Sequence, residues 1–426
     1  MRKESWILIV AAFIVCVFSF TAVAVPPGPS KKDGGDTKDD LYMQVELFSD
    51  AVSIIRSDYV SPVDSKKLIY GALRGMLASL DDFSSFMDQD EYKEIKSETK
   101  GEFGGIGIEI STRDGIFTVI APMAATPAEA AGIKPGDKIV KIDNKVTRDM
   151  TLNEAVKMMR GEPGTMVTLT IWREKGEKIL ELPIKRDIIK VSSIKNASFL
   201  DGKIGYIKIA EFQENTPSEL DAALKKLGSE GMDSLIIDLR NNPGGLLEVS
   251  VDVAERFLPK DSVVVSIKSR TPAQNAVFKS SGKFYSSNYP MAILVNEGSA
   301  SASEIVSGAI QDNKRGIIIG TKTFGKASVQ TVIPLKDGSA LRLTTALYYT
   351  PSGKMIRNEG IIPDVIVENG NGKKKTDNKD IFEGLDKKKP EPQEKVKEGV
   401  ERDIQVDTAI NMIKTIKFSR MADKEA

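Results

Sequence analysis

Apolar residues in the first part of the chain recur at the spacing of helices. Across residues 41–95 they return every three or four positions, and the clearest of them are Leu47, Ala51, Ile54, Ile55, Ile69, Ala72, Leu73, Met76, Leu77 and Leu80. This spacing places apolar side chains along one face of a helix. We therefore predict a small helical module over residues 41–95.

The pattern changes to short β-type runs between residues 101 and 186. The apolar runs lie at 107–110, 117–120, 138–142, 167–172 and 179–183. A helical patch at 152–159 interrupts them. Short runs bounded by glycine and polar turns are typical of strands, so this part of the chain predicts a compact β-rich domain.

Strands and helices alternate from residue 203 onward. The predicted strands lie at 204–209, 234–238, 263–267, 291–295 and 317–319. The predicted helices between them lie at 218–226, 247–257 and 303–310. Alternation of this kind predicts an α/β core with much parallel strand pairing.

The two ends of the chain have compositions of their own. Residues 369–400 are rich in lysine, aspartate and glycine, which predicts a charged linker, and a C-terminal helix follows within 401–418. At the other end, Arg2 and Lys3 precede an apolar stretch at 6–25 that has Ala-Val-Ala at 22–24, near its end. This predicts a signal for export, cleaved after the stretch or kept as a membrane anchor, and a periplasmic or cell-surface location.

The residue counts exclude several kinds of chemistry. The chain has 60 basic and 60 acidic residues, one cysteine and no histidine. Without imidazole there is no Ser-His-Asp or Cys-His nucleophile and no histidine metal ligand. Cys16 alone supports neither a disulfide within the chain nor a cysteine-rich zinc site. We expect no metal and no cofactor, and a net charge of zero gives no reason to expect nucleic acid as a partner.

A glycine-rich loop opens the β-rich domain. Glycine alternates with apolar residues at 102–108, which lets backbone N–H groups converge on a carboxylate beside a strand edge. Together with the motifs AGIKPGDKI at 131–139 and RGEPGT at 160–165, this loop resembles a PDZ domain. By residue type alone, Arg160 is more simply a solvated surface charge than a carboxylate ligand.

A run of small residues follows the predicted strand at 291–295. A serine at a turn from strand to helix has an exposed hydroxyl, and the first N–H groups of the helix can stabilise an oxyanion. Small residues also fill ordinary helix N-termini, where Ser303 and Glu304 would only cap the helix.

Residues 320–326 fit the GxxxxGK pattern of a phosphate-binding loop. Two departures argue against a nucleotide site. Ala327 occupies the position of the hydroxyl that would bind Mg²⁺, and 328–335 is β-branched and ends near a proline where a helix is needed.

Lys326 is the natural partner of a nucleophilic serine in a chain without histidine, provided that its amine is neutral. Lowering a lysine pKa from ~10.4 to roughly 7–8 requires about 4 kcal/mol of differential solvation, which burial supplies. Gln330, four residues on, could orient the amine. The expected apolar wall consists of Phe324, Val329, Val332 and Ile333. The simpler interpretation is one more surface lysine.

Three motifs together resemble those of the carboxyl-terminal processing peptidases, the tail-specific serine proteases of family S41 with a Ser-Lys dyad. They are GSASASEI at 298–305, TFGKASVQ at 323–330 and DLRNNPGGL at 238–246. Further similar segments at 75–81, 205–209 and 360–365 extend the resemblance over about residues 41–367.

The resemblance implies a role for each matched residue. The nucleophile falls on Ser301, the general base on Lys326 and the residue that orients the lysine on Gln330. The oxyanion hole would consist of backbone N–H groups of Ala302 and of Gly244 or Gly245, with the choice between the glycines left open. Ala327 departs from the glycine that is common after the lysine.

The resemblance also implies an architecture and a substrate. We expect a ClpP/crotonase-like α/β protease core at 188–368, with an inserted PDZ domain at 96–187. That domain would read the C-terminal end of a protein or peptide substrate and gate the catalytic site. Candidate residues for binding the substrate C-terminus are Gly105, Ile106, Gly107 and Arg160.

Two other functions compete with proteolysis. In the first, the PDZ domain binds C-termini and the α/β core is a non-catalytic scaffold. The second is a Ser-Lys acyltransferase or penicillin-binding enzyme, because residues 192–195 read S-x-x-K, although they lack helical spacing. The sequence leaves open the physiological substrate, the need for an adaptor protein, and assembly into a homodimer or larger oligomer.

Overall fold

The computed structural model describes residues 38–113, 115–173, 178–283, 289–368 and 403–425. They fall into two compact units divided between Ala72 and Leu73. The predicted export segment at 1–25 and the linker at 369–400 lie outside the described residues. Among the helices of the described ranges, none combines the length and the apolar character needed to cross a membrane.

The predicted helical module contains three helices. Helix α1 (Lys38–Asp58) belongs to the first unit, and α2 (Ser65–Ala78) begins in it. Strand β1 (Ser85–Met87) and helix α3 (Gln89–Lys100) follow in the second unit. The prediction missed β1, because three residues carry too short a pattern to distinguish a strand from a helix.

The β-rich domain is built on one antiparallel sheet. Its strands follow the order β3-β4-β5-β7-β8, with β6 beside β5. Their bounds are β3 (Ile108–Arg113), β4 (Ile116–Pro122), β5 (Lys138–Ile142), β6 (Lys145–Val146), β7 (Met166–Arg173) and β8 (Lys178–Lys185). Helices α4 (Pro127–Ala130) and α5 (Leu152–Met159) accompany this sheet. Alternate residues of β7, among them Val167 and Leu169, are fully buried in the core of the domain.

A two-stranded ribbon connects this domain to the rest of the chain. Strand β2 (Glu102–Gly105) enters the domain and pairs antiparallel with β9 (Asp187–Lys190), which leaves it. Because entry and exit are adjacent, the domain can be inserted into a larger fold without separating the elements on either side.

The α/β core contains a six-stranded sheet in the order β10-β11-β12-β15-β16-β19. Strands β11 to β19 of this order are parallel, and β10 is antiparallel to β11. Their bounds are β10 (Ile194–Phe199), β11 (Ile204–Ile209), β12 (Ser234–Asp238), β15 (Met291–Val295), β16 (Ile317–Gly320) and β19 (Val365–Ile366). The predicted parallel core is confirmed.

Helices cover both faces of this sheet. The cluster of buried residues on one face includes Ile207, Ile237 and Ile293 together with residues of α6 (Thr216–Ser229), α7 (Leu247–Glu255) and α8 (Ala302–Asp312). On the other face, Ile236 and Leu294 pack with buried residues of α9 (Ile404–Glu425). Burial on both faces explains why β15 is apolar at every position and β12 at three consecutive positions.

A second, antiparallel sheet lies beside the core. It follows the order β1-β18-β13-β14, with β17 also paired to β18. The bounds are β13 (Val263–Ser269), β14 (Ala276–Lys279), β17 (Ser328–Pro334) and β18 (Ala340–Tyr349). The strand predicted at 263–267 belongs here and not to the parallel sheet. Its polar Ser266 and Lys268 are not buried, as expected for a strand with one face less covered than those of the core.

Candidate active site

Three loops meet at one edge of the parallel sheet. They follow β12, β15 and β16, which are neighbours in the sheet. The carboxyl ends of adjacent parallel strands lie at the same edge, where α/β proteins place their ligands. The motifs at 238–246, 298–305 and 323–330 therefore share one location.

Ser301 occupies the turn between β15 and α8, as predicted for the nucleophile. Its φ of 55° and ψ of −112° are values that residues other than glycine rarely adopt. The N–H of Ser301 donates to Glu304 Oε2 at 2.8 Å. A strained backbone of this kind persists only when surrounding contacts hold it, and such residues concentrate at functional sites.

Asn242 joins the loop after β12 to the serine loop. Its side-chain amide donates to the backbone oxygen of Ile209 at 2.9 Å, and its side-chain oxygen accepts the N–H of Gly244 at 2.9 Å. Its backbone oxygen accepts the N–H of Ala300 and the hydroxyl of Ser303. Asn242 is fully buried, so this residue of the turn holds the two loops in register.

Two of the predicted oxyanion residues, Gly244 and Ala302, lie against the serine. A Cβ atom at Gly244 would lie 2.8 Å from Ser301 Cβ and 3.0 Å from Ala302 N. The N–H of Gly244 already donates to Asn242. Within the described ranges, the N–H groups of Gly245 and Ala302 have no acceptor. Of the two glycines that the sequence left open, Gly245 thus has the free donor.

We expect Gly244→Ala to lower kcat by on the order of 10²-fold, because the added methyl group displaces Ser301 and the neighbouring N–H donors. Gly231→Ala is the matched control. Gly231 also has a positive φ, of 93°, but the nearest atom to its added Cβ is 3.8 Å away. Steady-state kinetics of both variants test the prediction, and equal losses of kcat would contradict it.

Lys326 lies in the loop after β16, and its side chain is half-buried. Burial lowers the pKa of Lys326, the positive charge of Arg342 lowers it further, and the negative charge of Glu304 opposes both. The next residue, Ala327, is fully buried with a φ of 51°. A left-handed conformation favours glycine, which gives a physical reason for the glycine common at this position.

The side chains of the predicted catalytic residues are not joined by hydrogen bonds. Among the described residues, no hydrogen bond connects Ser301 Oγ, Lys326 Nζ and the Gln330 amide. The Gln330 amide donates instead to Ser328 Oγ at 2.8 Å and to Thr344 Oγ1 at 3.3 Å. The left-handed turn at Ala327 and a register shift between Val329 and Gln330 break the regular spacing on which that expectation relied.

Glu304 connects the serine loop to the lysine loop. Its carboxylate is fully buried. One oxygen accepts Thr323 Oγ1 and Gly325 N, both at 2.6 Å. The other accepts the N–H groups of Ser301 at 2.8 Å and of Lys326 at 3.1 Å, and the hydroxyl of Tyr348 at 3.3 Å.

Sequence reasoning treated Glu304 only as a helix cap and missed this second set of partners. The sequence did contain a signal that Glu304 is buried. This glutamate lies in the first turn of a helix, and the residues on either side of it are all small or apolar. A buried carboxylate requires donors, and five donors surround this one.

The glycine-rich segment predicted as a loop at 102–108 opens the β-rich domain, and its first four residues form strand β2. Gly105 pairs with Asp187 in the ribbon. The carbonyl groups of Ile106 and Gly107 accept N–H groups of Ala128 and Met123. Their own N–H groups have no acceptor in the part of the chain that is described.

Arg160 is not a freely solvated charge. Its guanidinium donates to Glu94 Oε1 of α3 at 2.6 Å and lies 4.8 Å from the centre of the Phe103 ring. The side chain is 36% exposed. Arg160 thus links the end of α5 to the helix that precedes the domain.

Two alternative motifs have the wrong local structure. Residues 328–334 after the GxxxxGK segment form strand β17, whereas a phosphate-binding loop leads into a helix. The S-x-x-K segment runs through an irregular stretch into strand β10, so its serine and lysine do not lie on successive helical turns.

Models of three families match the chain. The model of peptidase family S41 matches residues 203–367, and a PDZ domain model matches 118–173. A model of the activating protease CtpB N-terminal domain matches 26–91. The first two matches fall on the α/β core and on the β-rich domain.

Curated and solved relatives resemble most of the chain. A carboxy-terminal-processing protease of Bartonella bacilliformis is 46% identical over 339 residues, 78% of this chain and 77% of that protein. The carboxy-terminal processing protease CtpA of Bacillus subtilis is 36% identical over 342 residues, 80% of this chain and 71% of that protein. A solved photosystem II D1 C-terminal processing protease is 31% identical with a TM-score of 0.45, covering 77% of this chain and 88% of its own.

Proposed function

Because this chain belongs to peptidase family S41 and is a serine protease of the carboxy-terminal-processing type with a PDZ domain, we propose that it cleaves by a Ser301-Lys326 dyad. One observation carries the proposal. The backbone N–H groups of Ser301 and Lys326 both donate to the buried carboxylate of Glu304. Ser301 has a strained backbone, Lys326 is half-buried with a lowered pKa, and the chain has no histidine that could serve as the base instead.

In the proposed mechanism, Lys326 Nζ takes the proton of Ser301 Oγ as that oxygen attacks the scissile carbonyl carbon. The N–H groups of Gly245 and Ala302 stabilise the oxyanion that forms. Collapse of the intermediate breaks the peptide C–N bond, and the lysine ammonium returns its proton to the leaving amine. A water molecule then releases the acyl group by the same route.

The dyad requires a side-chain rearrangement before the first step. Proton transfer needs Ser301 Oγ and Lys326 Nζ within hydrogen-bond distance, and catalytic hydrogen bonds of enzymes without substrate often tighten only when substrate binds. A role for Gln330 in orienting the amine belongs to the same rearranged state, in which its side-chain oxygen would accept a hydrogen bond from Lys326 Nζ and leave the lone pair of the amine free for the serine proton.

We propose that the β-rich domain binds the free C-terminus of a protein or peptide substrate. The unpaired N–H groups of Ile106 and Gly107, beside Gly105, are donors for a carboxylate. Arg160 lies at the neighbouring end of α5, paired with Glu94. A docked carboxylate competes with Glu94 for Arg160, which would couple substrate binding to the position of α3.

Two matched peptides that carry a free or an amidated C-terminus test tail recognition. We expect amidation to lower kcat/KM by about 10- to 100-fold, since it removes hydrogen bonds to a charged group. Arg160→Ala should reduce the difference between the peptides, whereas the exposed Arg148→Ala of the same domain should preserve it. Equal cleavage of both peptides by the wild-type protein would refute tail recognition.

We also propose that residues 1–25 direct export of the protein to the periplasm or cell surface, with 6–25 as the anchor if they are retained. Fractionation of cells that express the full chain, compared with a chain that begins after residue 25, tests this proposal. An unchanged distribution between the two would contradict it.

A further inference from the structure

We propose that Phe83 is a positioning residue of the active site that shields the Lys326 amine from water. This inference rests on the proposed role of Lys326 as the general base. Phe83 lies 243 positions before the lysine in sequence, and its ring centre lies 5.1 Å from Lys326 Nζ.

The loop that carries Phe83 is held by Asp81. One oxygen of Asp81 accepts the N–H groups of Phe83 at 2.8 Å and of Ser84 at 2.7 Å, and the other accepts Ser84 Oγ at 3.1 Å. Burial would raise the pKa of Asp81, but these bonds and one with Thr344 lower it below the ordinary value. The turn is therefore a fixed structure and not a loose connection.

Ser84 attaches this turn to the wall of the active site. Its hydroxyl accepts the N–H of Thr344 at 3.1 Å, and Ser84 itself is buried. Thr344 belongs to β18 and also contacts the Gln330 amide. Through β18 the ring of Phe83 is thus fixed on the same framework as the residues around the lysine.

Two of the four residues that were predicted to shield the amine are exposed. Phe324 is 56% exposed and Ile333 is 38% exposed, although both flank Lys326 in sequence. Phe83 is the aromatic ring that the structure places over the amine.

The aromatic ring has two opposing effects on the amine. Its bulk excludes water, which disfavours the ammonium, whereas its electron-rich face attracts the ammonium. Burial is the largest cause of the lowered pKa of Lys326, and the Phe83 ring centre lies 5.1 Å from the buried amine. The charged groups that act on this amine are Arg342 of β18 and Glu304 of α8, and neither is altered by a substitution at Phe83.

Two substitutions separate these effects through the pH profile of kcat/KM. Activity rises with pH as the amine loses its proton. We expect Phe83→Ala to admit water and move this rise to higher pH by about one unit, which lowers activity about tenfold on the acidic side. Phe83→Leu retains an apolar cover without the aromatic face. The kcat/KM of this variant should therefore rise at the same pH as that of the wild type, or at a lower pH.

Phe324→Ala is the matched control. Its kcat/KM should rise at the same pH as that of the wild type. If Phe83→Ala loses activity equally at every pH, or loses none, the inference is wrong. Thermal unfolding of each variant identifies any that fails to fold. If Phe83→Ala does not fold, Phe83→Leu still tests the inference. A folded Phe83→Leu protein whose kcat/KM rises at higher pH than that of the wild type would also overturn it.

Direct labelling of Lys326 separates this inference from the proposed function. In a Ser301→Ala protein, the pH dependence of Lys326 acylation by acetic anhydride, measured by mass spectrometry, reports the amine without catalysis. Adding Phe83→Ala should move this dependence to higher pH. If Phe83→Ala moves the pH dependence of acylation to higher pH but Lys326→Met still hydrolyses substrate, Phe83 shields the amine and the proposed base is wrong. If the pH dependence of acylation does not change, shielding by Phe83 is refuted, whether or not Lys326→Met hydrolyses substrate.

Discussion

Lys326→Met is expected to lower kcat/KM by about 10³- to 10⁴-fold at pH values where the wild-type amine is neutral, the upper range for loss of a general base, and by less at lower pH. Methionine is unbranched and apolar, so it fits the half-buried site but cannot accept the serine proton. Peptide hydrolysis measured from acidic to alkaline pH tests this. The chain lacks histidine, so no imidazole can take over the role of the base.

Lys322→Met is the matched control for the loss of a lysine from the same loop. The Lys322 amine donates to the backbone oxygen of Asn358 at 3.1 Å, and its side chain is exposed. We expect this variant to hydrolyse substrate at close to the wild-type rate. Undiminished hydrolysis by Lys326→Met would instead mean that the assigned base is wrong.

Loss of activity in Lys326→Met should not be accompanied by loss of stability. The folded-state pKa of Lys326 lies below its ordinary value of 10.5, so between these two pKa values the unfolded chain binds more protons at this site than the folded chain. The resulting penalty on folding is full below the folded-state pKa and disappears as the pH rises to the unfolded value. Methionine removes the penalty, and the free energy of unfolding at neutral pH should equal or exceed that of the wild type.

The location of the candidate active site was predictable because each of its motifs is continuous in sequence and directly follows a run of apolar residues. Runs of apolar residues identified β12, β15 and β16, and parallel pairing brings the loops after them to one edge. Ser301, Lys326 and Gly244-Gly245 each lie in one of these loops, within motifs that the sequence displays without interruption.

Contacts between distant segments were not predictable in the same way. The predicted wall for Lys326 came from its neighbours in sequence, whereas the structure supplies Phe83 from a turn before the β-rich domain. The apolar pattern of a strand reports how much of it is buried but not which strand it pairs with. For this reason the sequence did not distinguish β13, which lies in the antiparallel sheet, from the strands of the parallel sheet.

Side-chain partners were harder still to predict than chain topology. Gln330 was expected to contact Lys326 from spacing alone, yet one left-handed residue between them is enough to redirect the side chains. Glu304 was predicted only to cap its own helix, because the sequence shows only partners that are close along the chain. Ser301, three residues earlier, is such a partner and supplies one of the five donors. The other four donors come from residues 323–326 and from Tyr348 in β18.

Glu304→Gln is expected to lower kcat by on the order of 10²-fold with little change in KM. The amide replaces one acceptor oxygen with a donor nitrogen, and each oxygen of Glu304 accepts at least two donors. The Ser301 or the Lys326 segment therefore shifts, and a displacement of about 1 Å is enough for such a loss. Unpaired buried donors cost about 1–3 kcal/mol each, so the free energy of unfolding should fall as well.

Glu255→Gln distinguishes positioning of the dyad from general loss of stability. Glu255 is also buried and accepts the N–H and the hydroxyl of Ser281, but it lies at the far end of α7 from the Gly244-Gly245 turn. Both variants should unfold at lower temperature than the wild type. When kcat is measured well below those temperatures, only Glu304→Gln should be slow. If the two variants lose kcat equally, Glu304 acts only through stability. If Glu304→Gln keeps kcat, the serine and lysine loops do not depend on their shared carboxylate.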